Sequence, residues 1–352
     1  MKNLFIIGIF RSGTSLLSTA LNTHKNIIVG WQPYMLFFKA CRNKYFKEML
    51  RVPFDEKNPM GINYFKTVKD RELFREVFHL IRFNATELST ILSEIRDYLL
   101  SDNEKMNKDM KPHDLAKNLD GIEPGFAGYI LMQLMERLYL SQIITRNWDI
   151  KFIGIKEVFC EEFIEPLFNY CNLNSKVVHI IRDPRAVVAS RNFGKYMEAT
   201  GAKYPIFFII RSWKRTVANY LLNKCNSNYL MIRYEDLVRK PETTMKKVCE
   251  LLEVQYSNDL LNLSNFKDNK GRRWESNTSF DGSKTITTSS VNKWEDILSA
   301  EEIEVVEYYC QSELNTLGYE RTTKSFDQKK ILNFQEDTSN ICEWLREYDF
   351  SF

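Results

Sequence analysis

The chain is poor in the residues that build metal sites. Its 352 residues include four histidines, His24, His79, His113 and His179, and none has the i, i+4 spacing by which one helix face holds zinc. Seven cysteines, Cys41, Cys160, Cys171, Cys225, Cys249, Cys310 and Cys342, are scattered singly, with no C-x-x-C pair among them. An odd and dispersed set is neither a disulfide framework nor a metal ribbon, so the expectation is no metal and reduced, mostly buried thiols. Long apolar runs are also missing: nothing approaches the roughly 18 residues a membrane helix needs, and the run at residues 4–10 is too short for a signal h-region. The expected protein is therefore soluble and cytoplasmic, without a membrane partner. Basic runs are absent and the net charge is only +3, which leaves no electrostatic footprint for nucleic acid. Any anion must be bound locally.

What is present is ample core material, 44% apolar and 13% aromatic residues, enough for one large domain or two modest ones. Short apolar runs at 4–9, 151–159, 175–184 and 228–237 each end abruptly in charge, as buried parallel strands do. Helical spacing follows at 14–21, 161–170, 184–191 and 206–222, with Asp183 placed as an N-cap and Pro184 at the first helical position. Strands alternating with helices predict an α/β fold with a parallel sheet, whose functional loops lie beyond the carboxyl ends of the strands. Arg11, Lys156, Arg182 and Tyr234 all fall at such ends.

Residues from about 34 to 147 break this rhythm and are expected to form a helical insertion over the active edge of the sheet. Residues 265–290, rich in Gly, Ser, Thr and Asn, are expected to form a long loop, and 299–314, opening on Ser299 with acidic residues behind it, a closing helix. Residues 323–352 are expected to form a tail beyond a single domain of 1–322.

The stretch GIFRSGTS, residues 8–15, matches the phosphate-cradling pattern G-x-x-x-x-G-[KT]-[ST], with Thr14 where a lysine usually stands. A loop closing onto a helix start presents unpaired amide N–H groups and the positive end of a dipole. Ser12, Gly13, Thr14 and Ser15 supply those groups, and Arg11 carries the fixed charge. In nucleotide triphosphatases a lysine neutralises the phosphates and a carboxylate helps to hold magnesium; neither is evident here, although a P-loop kinase stays open. A second anion site is expected in VVHIIRDPRAVVASR, where Arg182 ends a strand and Ser190 lies eight residues on.

These two segments carry a family resemblance. LFIIGIFRSGTSLLSTALNTHKNI resembles the 5′-phosphosulfate loop, and VVHIIRDPRAVVASR the 3′-phosphate segment, of sulfotransferases that use 3′-phosphoadenosine 5′-phosphosulfate (PAPS). The form RSGTS is similar to the carbohydrate and tyrosylprotein branch. IRYEDLVRKPETTMKKVCELL, WESNTSF, SSVNKW and LNTLGYE resemble the same family in the same order.

The resemblance implies a P-loop-type three-layer fold, a central parallel sheet flanked by helices, and metal-independent transfer of a sulfuryl group to a small-molecule or carbohydrate acceptor, with PAP as product. It places Arg11 and Ser12 to Ser15 on the 5′-phosphosulfate, Arg182 and Ser190 on the 3′-phosphate, Tyr234 near the nucleotide and Lys284 as a further phosphate candidate. Lys156 is expected to stabilise charge on the departing oxygen. Relatives put a glutamate, the general base, where this chain has Gln32. An amide cannot take a proton near neutral pH, so Gln32 is expected to orient the acceptor while Glu157, His24 or solvent takes the proton. The same glutamine keeps open a protein that binds PAP or PAPS without catalysis.

Overall fold

The computed structural model describes residues 2–51, 68–101, 112–143, 149–169, 175–190, 203–267, 272–273, 286–337, 341 and 345. Its strands are β1 (Lys2–Ile7), β2 (Ile27–Trp31), β3 (Arg82–Phe83), β4 (Gly125–Phe126), β5 (Phe152–Lys156), β6 (Ser175–Ile181) and β7 (Tyr229–Arg233). Helices α1 (Thr14–Asn22), α2 (Met35–Lys44), α3 (Val68–Val77), α4 (Ala85–Leu100), α5 (Pro112–Lys117), α6 (Ala127–Ile143) and α7 (Ile164–Asn169) precede β6. After it come α8 (Pro184–Ala189), α9 (Ile206–Asn223), α10 (Tyr234–Arg239), α11 (Pro241–Leu251), α12 (Trp294–Ile297), α13 (Ala300–Leu317) and α14 (Gln328–Leu332).

Among the described residues, five strands form a parallel sheet in the order β2-β5-β1-β6-β7, and β3 pairs antiparallel with β4. Because side chains alternate along a strand, β1 feeds two cores at once. Phe5 and Ile7 join Ile28, Ile153 and Ile155 under α2, α4 and α6, whereas Leu4 and Ile6 join Ile27, Val29 and Ile180 under α1 and α11. The result is the α/β three-layer sandwich expected from the alternation of elements. A third cluster gathers Ile9, Phe10, Val158 and Phe159, beyond the strand ends, with α8, α9 and α13. Among the described residues, no helix is long and apolar enough to cross a membrane.

The four expected strands are present, the first shifted to start at Lys2 and the other three trimmed, and β2 is an additional one. Its five residues are all buried on both faces, so they show no alternation and follow α1 after only a short turn. The helix expected over 161–170 is a 3-10 turn, Glu161–Phe163, continued by α7. Within 35–143 the described chain is mainly helical, with the small β3–β4 pair added, and it packs on the sheet face that carries Phe5, Ile7, Ile28, Ile153 and Ile155. α13 opens on a capping box between Ser299 and Glu302 and closes on Gly318 at φ 71°, where glycine is favoured.

Candidate active site

Between β1 and α1 the chain turns through Gly8 (φ 148°), Arg11 (φ 63°) and Gly13 (φ 99°). A Cβ at Gly13 would lie 2.4 Å from the Tyr234 ring, and one at Gly8 would lie 2.5 Å from the Ile180 carbonyl oxygen, so both positions need glycine for space as well as for φ. Ser12 Oγ donates to the Ile9 carbonyl at 2.6 Å and ties the loop to itself. The first bond inside α1 runs from Leu17 N–H to Gly13 O at 3.1 Å, which leaves the amides of Thr14, Ser15 and Leu16 outside the helical ladder. No side-chain cap and no acidic residue occupies the first turn, so the first turn itself leaves the positive end of the helix uncompensated. Burial, with Arg182 nearby, lowers the Arg11 guanidinium to about 10, which keeps it charged at neutral pH.

Arg182, directly after β6, is held by backbone. Its Nη1 donates to the Arg11 carbonyl at 3.0 Å and its Nη2 to the Ser290 carbonyl at 2.6 Å, while its guanidinium lies 4.4 Å from the Tyr234 ring centroid. Tyr234 OH shares a 2.7 Å hydrogen bond with Ser290 Oγ. Arg182, Tyr234 and the loop therefore form one body. Asp183 caps α8 and pairs with Arg185 at 2.6 Å, and Arg185 in turn pairs with Glu307 of α13 and lies over Trp294. Ser190 closes α8; its hydroxyl is buried and has no hydrogen-bond partner among the described residues. A buried hydroxyl left without a partner is costly.

The ends of β2 and β5 make a different structure. Trp31 and Lys156 are register partners, and Lys156 Nζ lies 4.2 Å from the Trp31 ring centroid while donating to Gln32 Oε1 at 2.9 Å. Trp31 Nε1 reaches the first turn of α1 and donates to Ser15 Oγ at 3.1 Å. Gln32 takes φ 48° and its amide donates to the Lys156 carbonyl at 2.8 Å, so its backbone and side chain grip the same lysine. Lys156 is 2% exposed, which rules out a surface lysine, and burial brings its ammonium down to about 7.

Glu157, the next residue, leaves the strand end on the opposite face. It lines a small apolar cavity with Phe5, Ile7, Phe38 and Ile155, and its Oε1 accepts from Tyr34 N at 3.0 Å. Burial pushes its carboxyl up to about 8, only partly offset by Tyr34 N–H and the Lys156 charge.

The expected residues thus separate into three groups. Arg11 to Ser15, Arg182 and Tyr234 come together around the β1 and β6 ends, and Lys156 and Gln32 join them through Trp31. Glu157 is adjacent in sequence but faces the helices of 35–143. His24 is corrected: it sits before β2, at the amino end of the sheet, with Nε2 on the Gln255 carbonyl at 2.9 Å and Nδ1 accepting from Asn26 N at 3.2 Å. Lys284 lies outside the described residues. Sequence reasoning missed Trp31 and Ser290 as site residues, although they lie in the stretches VGWQPY and SSVNKW. Arg11, Gln32 and Phe159, beyond the ends of the adjacent strands β1, β2 and β5, all have left-handed backbones, a conformation that non-glycine residues hold only where the surroundings enforce it. Among the described residues, no group of three or more His, Cys, Asp or Glu could hold a metal ion.

A profile of the sulfotransferase family matches residues 3–258. Carbohydrate sulfotransferase 2 of Mus musculus is 26% identical over 238 residues, covering 56% of this chain and 44% of the relative. Carbohydrate sulfotransferase 1 of Danio rerio is 25% identical over 220 residues, covering 57% and 49%. The matches thus span less than half the length of these relatives. Among solved structures, the sulfotransferase domain of the Synechococcus PCC 7002 olefin synthase superposes with a TM-score of 0.50 at 18% identity, covering 91% of this chain and 97% of that one. The sulfotransferase domain from the curacin biosynthetic pathway gives 0.50 at 17% identity, covering 91% and 99%. These two likenesses fix the fold.

Proposed function

The chain belongs to the sulfotransferase family, and from that premise we propose that it transfers the sulfuryl group of PAPS to a hydroxyl or nitrogen of an acceptor, with a glycan favoured over other small molecules. The glycan preference rests on the relatives' names, carbohydrate sulfotransferases 1 and 2. The observation that carries the donor assignment is Ser190, whose buried, partnerless hydroxyl stands one short helix beyond Arg182. That pair suits a 3′-phosphate, just as the uncapped start of α1 beside Arg11 suits the phosphosulfate.

In this reading the acceptor's lone pair attacks sulfur, the bond from sulfur to the bridging oxygen breaks, and the electron pair leaves with the 5′-phosphate of PAP. The Lys156 ammonium offsets the charge that gathers on the bridging oxygen. Gln32 serves Lys156: with its Oε1 committed to Nζ, it holds the lysine in place, a narrower role than orienting the acceptor. The opposite facing of Glu157 and Lys156 favours solvent as the group that takes the acceptor's proton. We also place the reaction in the cytoplasm, in keeping with Cys160, Cys249 and Cys310, which are buried thiols outside any disulfide.

The test is a thermal-shift comparison of PAP with ADP, followed by an acceptor screen with PAPS and mass detection of the added sulfuryl group. PAP should stabilise the protein well beyond ADP. Equal shifts would sink the donor assignment, and a strong PAP shift with no product from any acceptor class would favour a binding protein.

A further inference from the structure

We propose that Trp31 is a positioning residue that ties the phosphate loop to Lys156, setting the hydroxyl of Ser15 as a donor and holding the ammonium of Lys156 against its ring. The inference rests on the function proposed above. An indole N–H can only donate, so the 3.1 Å bond from Trp31 Nε1 makes Ser15 Oγ the acceptor and leaves the Ser15 hydrogen to be given to another group. Ser15 is the second residue of α1, at the helix start where an anion would sit. The face of the same ring lies under Lys156 Nζ, 4.2 Å from its centroid.

Lys156 has few other sources of support. It is nearly fully buried, its side-chain hydrogen bond among the described residues goes to a neutral amide oxygen, and the charged group acting on it is Glu157 of its own strand end. Glu157 is engaged by Tyr34 N–H from the turn after β2 and felt by Arg42 of α2 and by the phenols of Tyr34 and Tyr98. A ring face stabilises a desolvated cation, so Trp31 counters the burial that depresses the lysine. One side chain thus serves both ends of the scissile bond: the loop that holds the sulfuryl and phosphoryl oxygens, and the cation for the bridging oxygen.

The experiment measures PAP affinity by calorimetry across neutral pH for the wild type, Trp31→Phe, Trp31→Leu, Ser15→Ala and the Ser15→Ala/Trp31→Phe double variant, each checked for a cooperative melt. Wild-type affinity should fall as pH rises through about 7, where Lys156 loses its charge. Trp31→Phe keeps a ring face and loses the N–H. It should bind PAP several-fold more weakly with the pH midpoint in place, and it should add nothing further in the Ser15→Ala background. Trp31→Leu loses both contacts and should also move the midpoint down by about one pH unit. If Trp31→Phe binds as wild type, or weakens Ser15→Ala as much as it weakens the wild type, the link to the loop is wrong. A folded Trp31→Leu with an unmoved midpoint removes the link to Lys156, and if that variant does not fold, Trp31→Phe and the double variant decide the proposal alone. A folded wild type that does not bind PAP at all overturns the donor assignment itself, an outcome distinct from the variant patterns.

Discussion

The two halves of the sheet's carboxyl edge are built by opposite means. At the β1, β6 and β7 ends, charges are fixed by backbone: Arg182 is clamped on the carbonyls of Arg11 and Ser290, and α1 presents unladdered amides. At the β2 and β5 ends, Lys156 and Glu157 are buried so deeply that both titrate near neutrality, at about 7 and about 8. The first half holds an Arg11 guanidinium that stays charged at neutral pH and suits a bound anion. The second holds charge that is easily gained or lost and suits a step in which charge moves. Under the function proposed above, holding and reacting fall to different strands of one sheet.

The sharpest way to break this division is Lys156→Ala. If the β2–β5 half does the chemistry, sulfuryl transfer should fall by about 10²–10³, while PAP affinity measured by calorimetry falls far less. Parallel losses in both would merge the two halves. Arg182→Ala probes the other half and should weaken PAP binding roughly 10–100-fold while erasing the preference over ADP, since a hydrogen bond to a charged group is worth about 1.5–3 kcal/mol. Ser190→Ala should show the same selectivity change at about tenfold or less. A Ser190→Ala protein that still prefers PAP as strongly as wild type would remove the hydroxyl from the donor site.

The smallest effect concerns stability. The carboxyl of Glu157 is raised from 4.5 to about 8, so its protonated form contributes stability that is fully present below pH 4.5 and lost as pH rises through about 8. Lys156 is depressed from 10.5 to about 7, so its contribution is present above 10.5 and lost as pH falls through about 7. The wild-type melting temperature should therefore decline between pH 4.5 and about 7, above which the growing contribution of Lys156 opposes the loss, and Glu157→Gln, which cannot ionise, should flatten that decline. An unchanged slope would mean that Glu157 ionises as an ordinary carboxylate, and the contrast between the halves would lose one of its two members.

Legibility in the sequence follows the same division. The half at the β1 and β6 ends is local: GIFRSGTS runs from one loop into a helix start, and Arg182 and Ser190 flank one helix, so spacing along the chain already states their geometry. The other half is made by register. Trp31 meets Lys156 only because β2 pairs with β5, more than a hundred residues later, and β2 itself was hidden because a strand buried on both faces has no period to read. The opposite facing of Lys156 and Glu157 needs only the period of two, but it is visible only once the strand's end is known. Ser290 escaped notice for a similar reason, since its contacts with Arg182 and Tyr234 join a loop to two strand ends far earlier in the chain.

The position of β1 in the sheet has a consequence for how the protein is made. β1 is the middle strand, yet its two neighbours begin at Phe152 and Ser175. On the ribosome an apolar strand that ends up with Leu4 and Ile6 fully buried must therefore wait, unpaired, while about 150 further residues are added. At typical elongation rates that is roughly 10–30 s of exposure. Nascent chains arrested before β5 emerges should be aggregation-prone and bound by chaperones, and those arrested after β6 should be protected. Yield in a recombinant host should accordingly respond more to chaperone supply and translation speed than to substitutions at the surface.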